Sequence, residues 1–304
     1  MFLRYPSRQR EVPLRLIIPN VITTMALCSG LVSLHFSIKS DMPDFDKALG
    51  AIMLAAVFDM LDGRAARLLR ASSKFGTVLD SLSDFLCFGV APAVLMHQWM
   101  LKRPDLQPVG KLAESFVLAA ILLFALCSAL RLARFTAAAD SPPPAKPDAP
   151  TPVTPPYKPS PLAKNFFVGM PTPAAAAAVL IPVMLMESRI VGDAYIHTGA
   201  IVAYTIGIAW LMVSRQPMFS FKKVRVSRPL VVPMLLAVGL WFVLAAKDFW
   251  LAIALVAGGY LLTLPLSLWW YARTAKQLSA LAAPSPTPLG PDSPREGGST
   301  SPEA

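Results

Sequence analysis

The chain is 304 residues long, 55% hydrophobic and only 15% charged, which is more apolar side chain than a water-soluble domain of this length can cover. Its formal charge of +10 does not indicate nucleic acid, which needs a contiguous basic face or aromatic stacking platforms. Lys and Arg fall between apolar runs, the distribution that the positive-inside rule produces in a polytopic membrane protein.

In chain order, residues 1–15 are basic and interrupted by Pro6 and Pro13, with no small-residue cleavage site, and read as a cytoplasmic interfacial segment. Apolar runs follow at approximately 16–38, 47–66, 79–100, 113–135, 165–187, 194–214, 229–246 and 248–272, each near the ~17–25 residues that a membrane helix needs. The expected fold is therefore all-α, a polytopic membrane helical bundle with about eight transmembrane helices. The last two runs are joined only by Lys247 and Asp248 and form a tight hairpin, a single fused helix being the alternative. Ser141–Pro161 holds ten prolines, which favours an extended cytoplasmic linker over helix.

The expected organisation is a membrane core over 16–215 with the linker 141–161 inside it, a basic loop and hairpin over 216–272, and a disordered tail over 273–304. Placing both termini in the cytoplasm puts most of the 28 Lys and Arg residues on the cytoplasmic side of a multi-pass protein of the cell (inner) membrane. Cys28, Cys87 and Cys127 lie in apolar runs without metal spacing and are expected to be small buried hydrophobes. His35, His97 and His197 are too far apart in sequence to suggest a joint metal site.

The chemistry concentrates in D-x2-D-G-x2-A-R-x8-G-x3-D-x3-D, with carboxylates at Asp59, Asp62, Asp80 and Asp84. Acids beside apolar segments are costly and mark a functional site. Asp59 and Asp62 are three apart and Asp80 and Asp84 four apart, so each pair shares a helix face. Two such helices converge four carboxylates, enough for two hard cations that bridge protein to phosphate. Gly63 and Gly76 let a bulky phosphorylated ligand approach the backbone, Ala66 keeps the helix surface low, and Arg67 supplies a donor fork for phosphate. The purely structural reading makes the aspartates helix caps paired with Arg64, Arg67, Arg70 and Lys74. A transporter with relay acids would place them near mid-bilayer and often shows internal repeats or broken helices, neither of which the sequence displays.

DMLDGRAARLLRASSKFGTVLDSLSD, residues 59–84, resembles the signature of the CDP-alcohol phosphatidyltransferase family, with no departure at its fixed positions. The resemblance covers roughly the first 215 residues. It implies two divalent ions per active site, Mn²⁺ or Mg²⁺, held by Asp59, Asp62, Asp80 and Asp84 against the diphosphate of a CDP-linked donor. Asp84 is also the implied general base, and Gly63, Ala66, Arg67 and Gly76 line the CDP site. PNVIT, residues 19–23, resembles the family's first-helix motif and adds Asn20 and Thr23 as donor contacts.

LDSLSDFLCFGVAP, ALRLARF, FVGMPTPAAA and MVSRQPMFSFKK are similar to the serine-transferring branch, the integral-membrane phosphatidylserine synthases. Phosphatidylglycerophosphate synthases tend to carry proline and lysine where this chain has Ser81 and Phe85. The implied reaction is metal-dependent transfer of the phosphatidyl group from CDP-diacylglycerol to the hydroxyl of L-serine, giving phosphatidylserine and CMP, within a homodimer embedded in membrane lipids and without nucleic acid. Arg131 and Arg134 suit the acceptor's carboxylate or are ordinary cytoplasmic anchors. Ser214 and Arg215, with Lys222 and Lys223, suit a lipid phosphate or merely anionic headgroups. Met170–Pro173 is expected to break the start of the fifth helix, and Ala174–Ala178 to permit close packing. The alternatives are another CDP-alcohol phosphatidyltransferase using glycerol phosphate or inositol phosphate, and an ion-coupled membrane transporter.

Overall fold

The computed structural model describes residues 14–39, 43–71, 73–103, 111–139, 166–191, 197–214, 217–219 and 228–264. The expected interfacial segment up to residue 13, the Pro-rich linker, Arg215, Lys222, Lys223 and the tail lie outside them. The helices are α1 (Leu14–Ile38), α2 (Phe45–Leu68), α3 (Lys74–Phe85), α4 (Ala91–Lys102), α5 (Lys111–Ala139), α6 (Thr172–Val179), α7 (Ile181–Met186), α8 (Thr198–Val213), α9 (Arg228–Lys247) and α10 (Phe249–Leu264). A π-helical turn, Leu86–Val90, joins α3 to α4 as one rod. Phe166–Val168 (β1) and Pro217–Phe219 (β2) form a short antiparallel ribbon with Phe167 opposite Met218; among the described residues the rest of the secondary structure is helical.

Among the described residues four helices, Ile17–Ile38, Lys74–Lys102, Lys111–Ala137 and Pro229–Lys247, are long and apolar enough to cross a membrane. α2 is long as well, but its charges, Asp46 and Lys47 at one end and Asp59, Asp62, Arg64 and Arg67 at the other, leave only residues 48–58 as an uncharged stretch between them. The core gathers Leu49 of α2, Leu95, Met96 and Trp99 of α4, Phe124 of α5 and Ile201 and Met212 of α8, all fully buried. α1 packs on α2, and its small residues Ala26, Ser29, Ser33 and Ser37 are buried; Cys87 of the π-helical turn donates to the Ala26 carbonyl at 3.2 Å, a close approach that small residues allow. Ser29 and Ser37 donate to the carbonyls of Met25 and Ser33, four residues back, which satisfies them without a partner helix.

The fifth apolar run departs from the expected 165–187 helix. It opens with strand β1, turns at Gly169 (φ +74°), and its helix is broken at Leu180 into α6 and α7. Pro182 explains the break, because it has no N–H to give to the carbonyl of Ala178. The Tyr204 hydroxyl of α8 donates to that carbonyl at 2.6 Å. The break expected at Met170–Pro173 falls where the Gly169 turn gives way to α6 at Thr172, whereas this second break at Leu180 is one that the sequence does not display. Cys28 is corrected too: it is exposed, whereas Cys87 and Cys127 are buried.

α9 and α10 are separate helices meeting at Asp248. Trp241 Nε1 donates to the Ala252 carbonyl at 3.0 Å, and eleven residues of straight helix would hold these positions about 16 Å apart.

Candidate metal and phosphate site

The site is set by the turn between α2 and α3. α2 ends in a Schellman arrangement in which Ala71 N donates to Ala66 O at 2.9 Å and Arg70 N to Arg67 O at 3.3 Å. Arg70 occupies the left-handed position at φ 49°, where glycine is the usual residue. Two residues on, the Ser73 hydroxyl caps α3 by accepting from Gly76 N at 3.0 Å. The chain thus reverses within five residues and brings both aspartate pairs to one end of the bundle.

One carboxylate oxygen each from Asp59, Asp62 and Asp80 lie within 4.8 Å of one another, and the Asp84 carboxyl adjoins that of Asp59. Among the described residues no Lys or Arg forms an ion pair with any of the four, which removes the reading in which they pair with the neighbouring arginines. Asp62 is 4% exposed. Asp62 Oδ2 and Asp84 Oδ1 are buried without a hydrogen-bond partner. Carboxylates this close repel when ionised, and orphaned buried oxygens call for a cation. The donor set, all hard oxygen, fits a divalent metal.

A cleft beside the aspartates is lined by Pro19, Asn20 and Thr23 of α1, Asp62, Gly63 and Ala66 of α2, Ala71 and Ser73 of the turn, and Gly76, Thr77 and Asp80 of α3. Of the residues expected at the CDP site, Asn20, Thr23, Gly63, Ala66 and Gly76 are brought together there. Arg67 is not part of the wall: its Nε donates to Gly63 O of its own helix at 2.9 Å, in an exposed position. Ala71, Ser73 and Thr77 escaped sequence reasoning, although a serine three residues before Gly76 is a helix-cap signal. A Cβ on Gly76 would come within 2.8 Å of Asn20 Oδ1, whereas one on Gly63 would meet nothing within 4 Å. Gly76 is therefore needed for packing, and Gly63 leaves open space toward the cleft.

A second group forms where α5, the loop after β1 and the end of α8 meet. Arg131 is buried, with its guanidinium 4.6 Å from the Phe135 ring centroid. A Cβ on Gly169 would approach Arg131 Nη1 to 3.0 Å and Ser214 O to 2.8 Å. Arg134 Nη1 donates to Val213 O at 3.2 Å, and the Ser214 hydroxyl donates to Leu211 O at 3.0 Å. Arg131, Arg134 and Ser214 are thus gathered, with one Arg134 donor spent on the last carbonyl of α8.

The profile of the CDP-alcohol phosphatidyltransferases matches residues 16–214, which include the whole aspartate constellation. The chain belongs to the CDP-alcohol phosphatidyltransferase family. That family is generally dependent on divalent metal, in keeping with the donor set found here. Relatives that carry the name CDP-diacylglycerol–serine O-phosphatidyltransferase include those of three bacteria. That of Mycobacterium tuberculosis is 30% identical over 86% of this chain and 82% of its own length. That of Helicobacter pylori is 28% identical over 80% and 89%. The relative from Mycobacterium leprae is 35% identical over 70% of this chain, and the match spans 61% of that protein, less than two thirds of it.

Proposed function

We propose that this protein transfers the phosphatidyl group of CDP-diacylglycerol to the hydroxyl of L-serine, releasing CMP and forming phosphatidylserine at the cytoplasmic face of the cell membrane. The observation that carries this reading is the convergence of Asp59, Asp62 and Asp80 within 4.8 Å beside a cleft, in a chain whose relatives bear that activity in their names. Eight passes follow from counting α1, α2, the α3–α4 rod, α5, the broken α6–α7, α8, α9 and α10 as spans. With both termini inside, the aspartates then lie at the cytoplasmic end, where the basic residues of the flanking segments also fall. A homodimer rests on the family resemblance.

Asp59, Asp62 and Asp80, with Asp84 beside them, would hold two Mg²⁺ or Mn²⁺ ions, which when bound neutralise the donor's diphosphate and the charge that develops during transfer. Asn20, Thr23, Ala66 and Gly76 shape the wall against the CDP moiety. Gly63 leaves its backbone approachable, and Arg67, whose Nε is bonded to Gly63 O, supplies a cation toward the diphosphate. The acyl chains remain in lipid, with Ser214 and Arg215 near the lipid phosphate. Arg131 and Arg134 orient the carboxylate of serine. Asp84 takes the proton of the serine hydroxyl, the serine oxygen forms a bond to the phosphorus carrying diacylglycerol, and the bond from that phosphorus to CMP breaks.

Purified protein is expected to release CMP from CDP-diacylglycerol and Mn²⁺ or Mg²⁺ when serine is added, and to stop in chelator. CMP release with glycerol phosphate or inositol phosphate but not with serine would sink the reading. Asp84→Asn should lower kcat by about 10²–10⁴-fold, the contribution of a general base, while donor binding persists. Wild-type turnover in that variant removes the base from Asp84.

A further inference from the structure

Ser81 of α3 and Thr136 of α5 place their hydroxyl oxygens 3.4 Å apart in a part-buried position. Each hydroxyl has a nearer acceptor one turn back on its own helix. Ser81 Oγ donates to Thr77 O at 3.0 Å, and Thr136 Oγ1 donates to Leu132 O at 3.0 Å. Each hydroxyl has one proton and two lone pairs, so whether its proton goes to the backbone or to the other hydroxyl, the pair keeps acceptor capacity for a donor that reaches both oxygens. A hydroxyl brings one proton to such a point, whereas an ammonium brings three and a full positive charge.

The position gives that donor a meaning. Ser81 follows Asp80, and Asp84 lies three residues further along the same face of α3. On α5, Thr136 follows Phe135, whose ring lies against the Arg131 guanidinium. The hydroxyl pair therefore ties the aspartate helix to the arginine helix.

We propose that Ser81 and Thr136 recognise the α-ammonium of the amino-acid acceptor. The acceptor is then read at three points: its ammonium by the two hydroxyls, its carboxylate by Arg131, and its own hydroxyl by Asp84. This inference rests on the serine-transfer reading above and names the residues that select an amino acid over an acceptor without an amino group.

The test compares L-serine with 3-hydroxypropionate, which is serine lacking its amino group, in CMP-release assays on the purified full chain with CDP-diacylglycerol and Mn²⁺. Removing the hydroxyls in Ser81→Ala/Thr136→Val is expected to raise the KM for serine about tenfold and to narrow the preference for serine over 3-hydroxypropionate by a similar factor, because the lost contacts serve only the acceptor that has the amino group. The KM for CDP-diacylglycerol should stay. Ser81→Thr and Thr136→Ser keep the oxygens and should keep the preference. Should the double variant fold poorly, Thr136→Val alone, which preserves volume, carries the same expectation at smaller amplitude. Equal losses with both acceptors, or an unchanged KM for serine, would show that the hydroxyls only clasp two helices, and would overturn this inference while leaving serine transfer standing. A wild-type protein that releases no CMP in response to serine removes the parent reading and this one with it.

Discussion

A methyl group on Gly76 would sit 2.8 Å from Asn20 Oδ1 and 3.1 Å from Ser73 Oγ, and both neighbours are engaged, the first in the cleft wall and the second in capping α3. At Gly63 the same methyl group meets no atom within 4 Å. The two glycines of one motif thus answer to different demands, and alanine separates them. Gly76→Ala should disturb the cap, costing about 1 kcal/mol of stability, and weaken donor binding as well. Gly63→Ala should leave the melting temperature in detergent unchanged and raise the KM for CDP-diacylglycerol, because its methyl fills space left for the ligand. Thermal denaturation paired with donor titration reads both. A Gly63→Ala protein that binds donor normally would mean that the ligand does not approach this backbone.

The broken fifth helix shows what an apolar run conceals. Hydropathy registers that residues 165–187 belong out of water, but in lipid every helix face is apolar, so no periodicity reveals which side packs inward or where a helix pauses. The same blindness hid the exposure of Cys28 and the π-helical turn inside the α3–α4 rod. The aspartates were legible because acids at fixed spacing in an apolar chain have few other uses, Gly76 because it stands in the same spaced motif, and Asn20 and Thr23 only through the resemblance of PNVIT to the family's first-helix motif. Ser73 and Thr77 were not, since their place in the cleft comes from a turn whose left-handed residue is Arg70 rather than glycine. At the helix break, Pro182 and Tyr204 form a compensating pair that a double-mutant cycle can expose. Tyr204→Phe removes the donor from the Ala178 carbonyl and should cost about 1–3 kcal/mol, the penalty for an unsatisfied buried acceptor. Adding Pro182→Ala restores an N–H four residues after Ala178, so the double variant should recover part of that loss. Additive destabilisation in thermal melts would show that the tyrosine does not replace the missing backbone bond.

At the scale of the whole molecule, the family match ends at residue 214, yet the hairpin beyond it is built into the bundle. α9 contributes little packing, with none of its apolar span buried, so the hairpin is held by α10 and the turn. Trp250 Nε1 donates to Asp46 at the start of α2. Asp248, 4% exposed, accepts from Ser188 Oγ at 2.6 Å, Ile190 N at 3.1 Å and Leu251 N at 3.0 Å, and so joins the end of α7 to the first turn of α10. Burial alone would raise the pKa of Asp248, but hydrogen bonds from Ser188 and the backbone of Leu251, Ile190 and Arg189 outweigh it and hold the carboxyl below its ordinary value. A carboxylate with a depressed folded pKa stabilises the protein above its unfolded value, about 3.9, and loses that contribution as pH falls through the folded pKa. Asp248→Ala leaves buried donors without an acceptor and should cost about 2–3 kcal/mol at neutral pH. The gap in melting temperature between wild type and variant should then shrink below about pH 4, where the wild-type carboxyl takes up its proton. Limited proteolysis within the hairpin, faster in the variant at neutral pH, would report the release of α10 directly. A gap that stays constant from neutral pH to the acid limit would show that the ionised carboxylate is not what fastens the hairpin to the bundle.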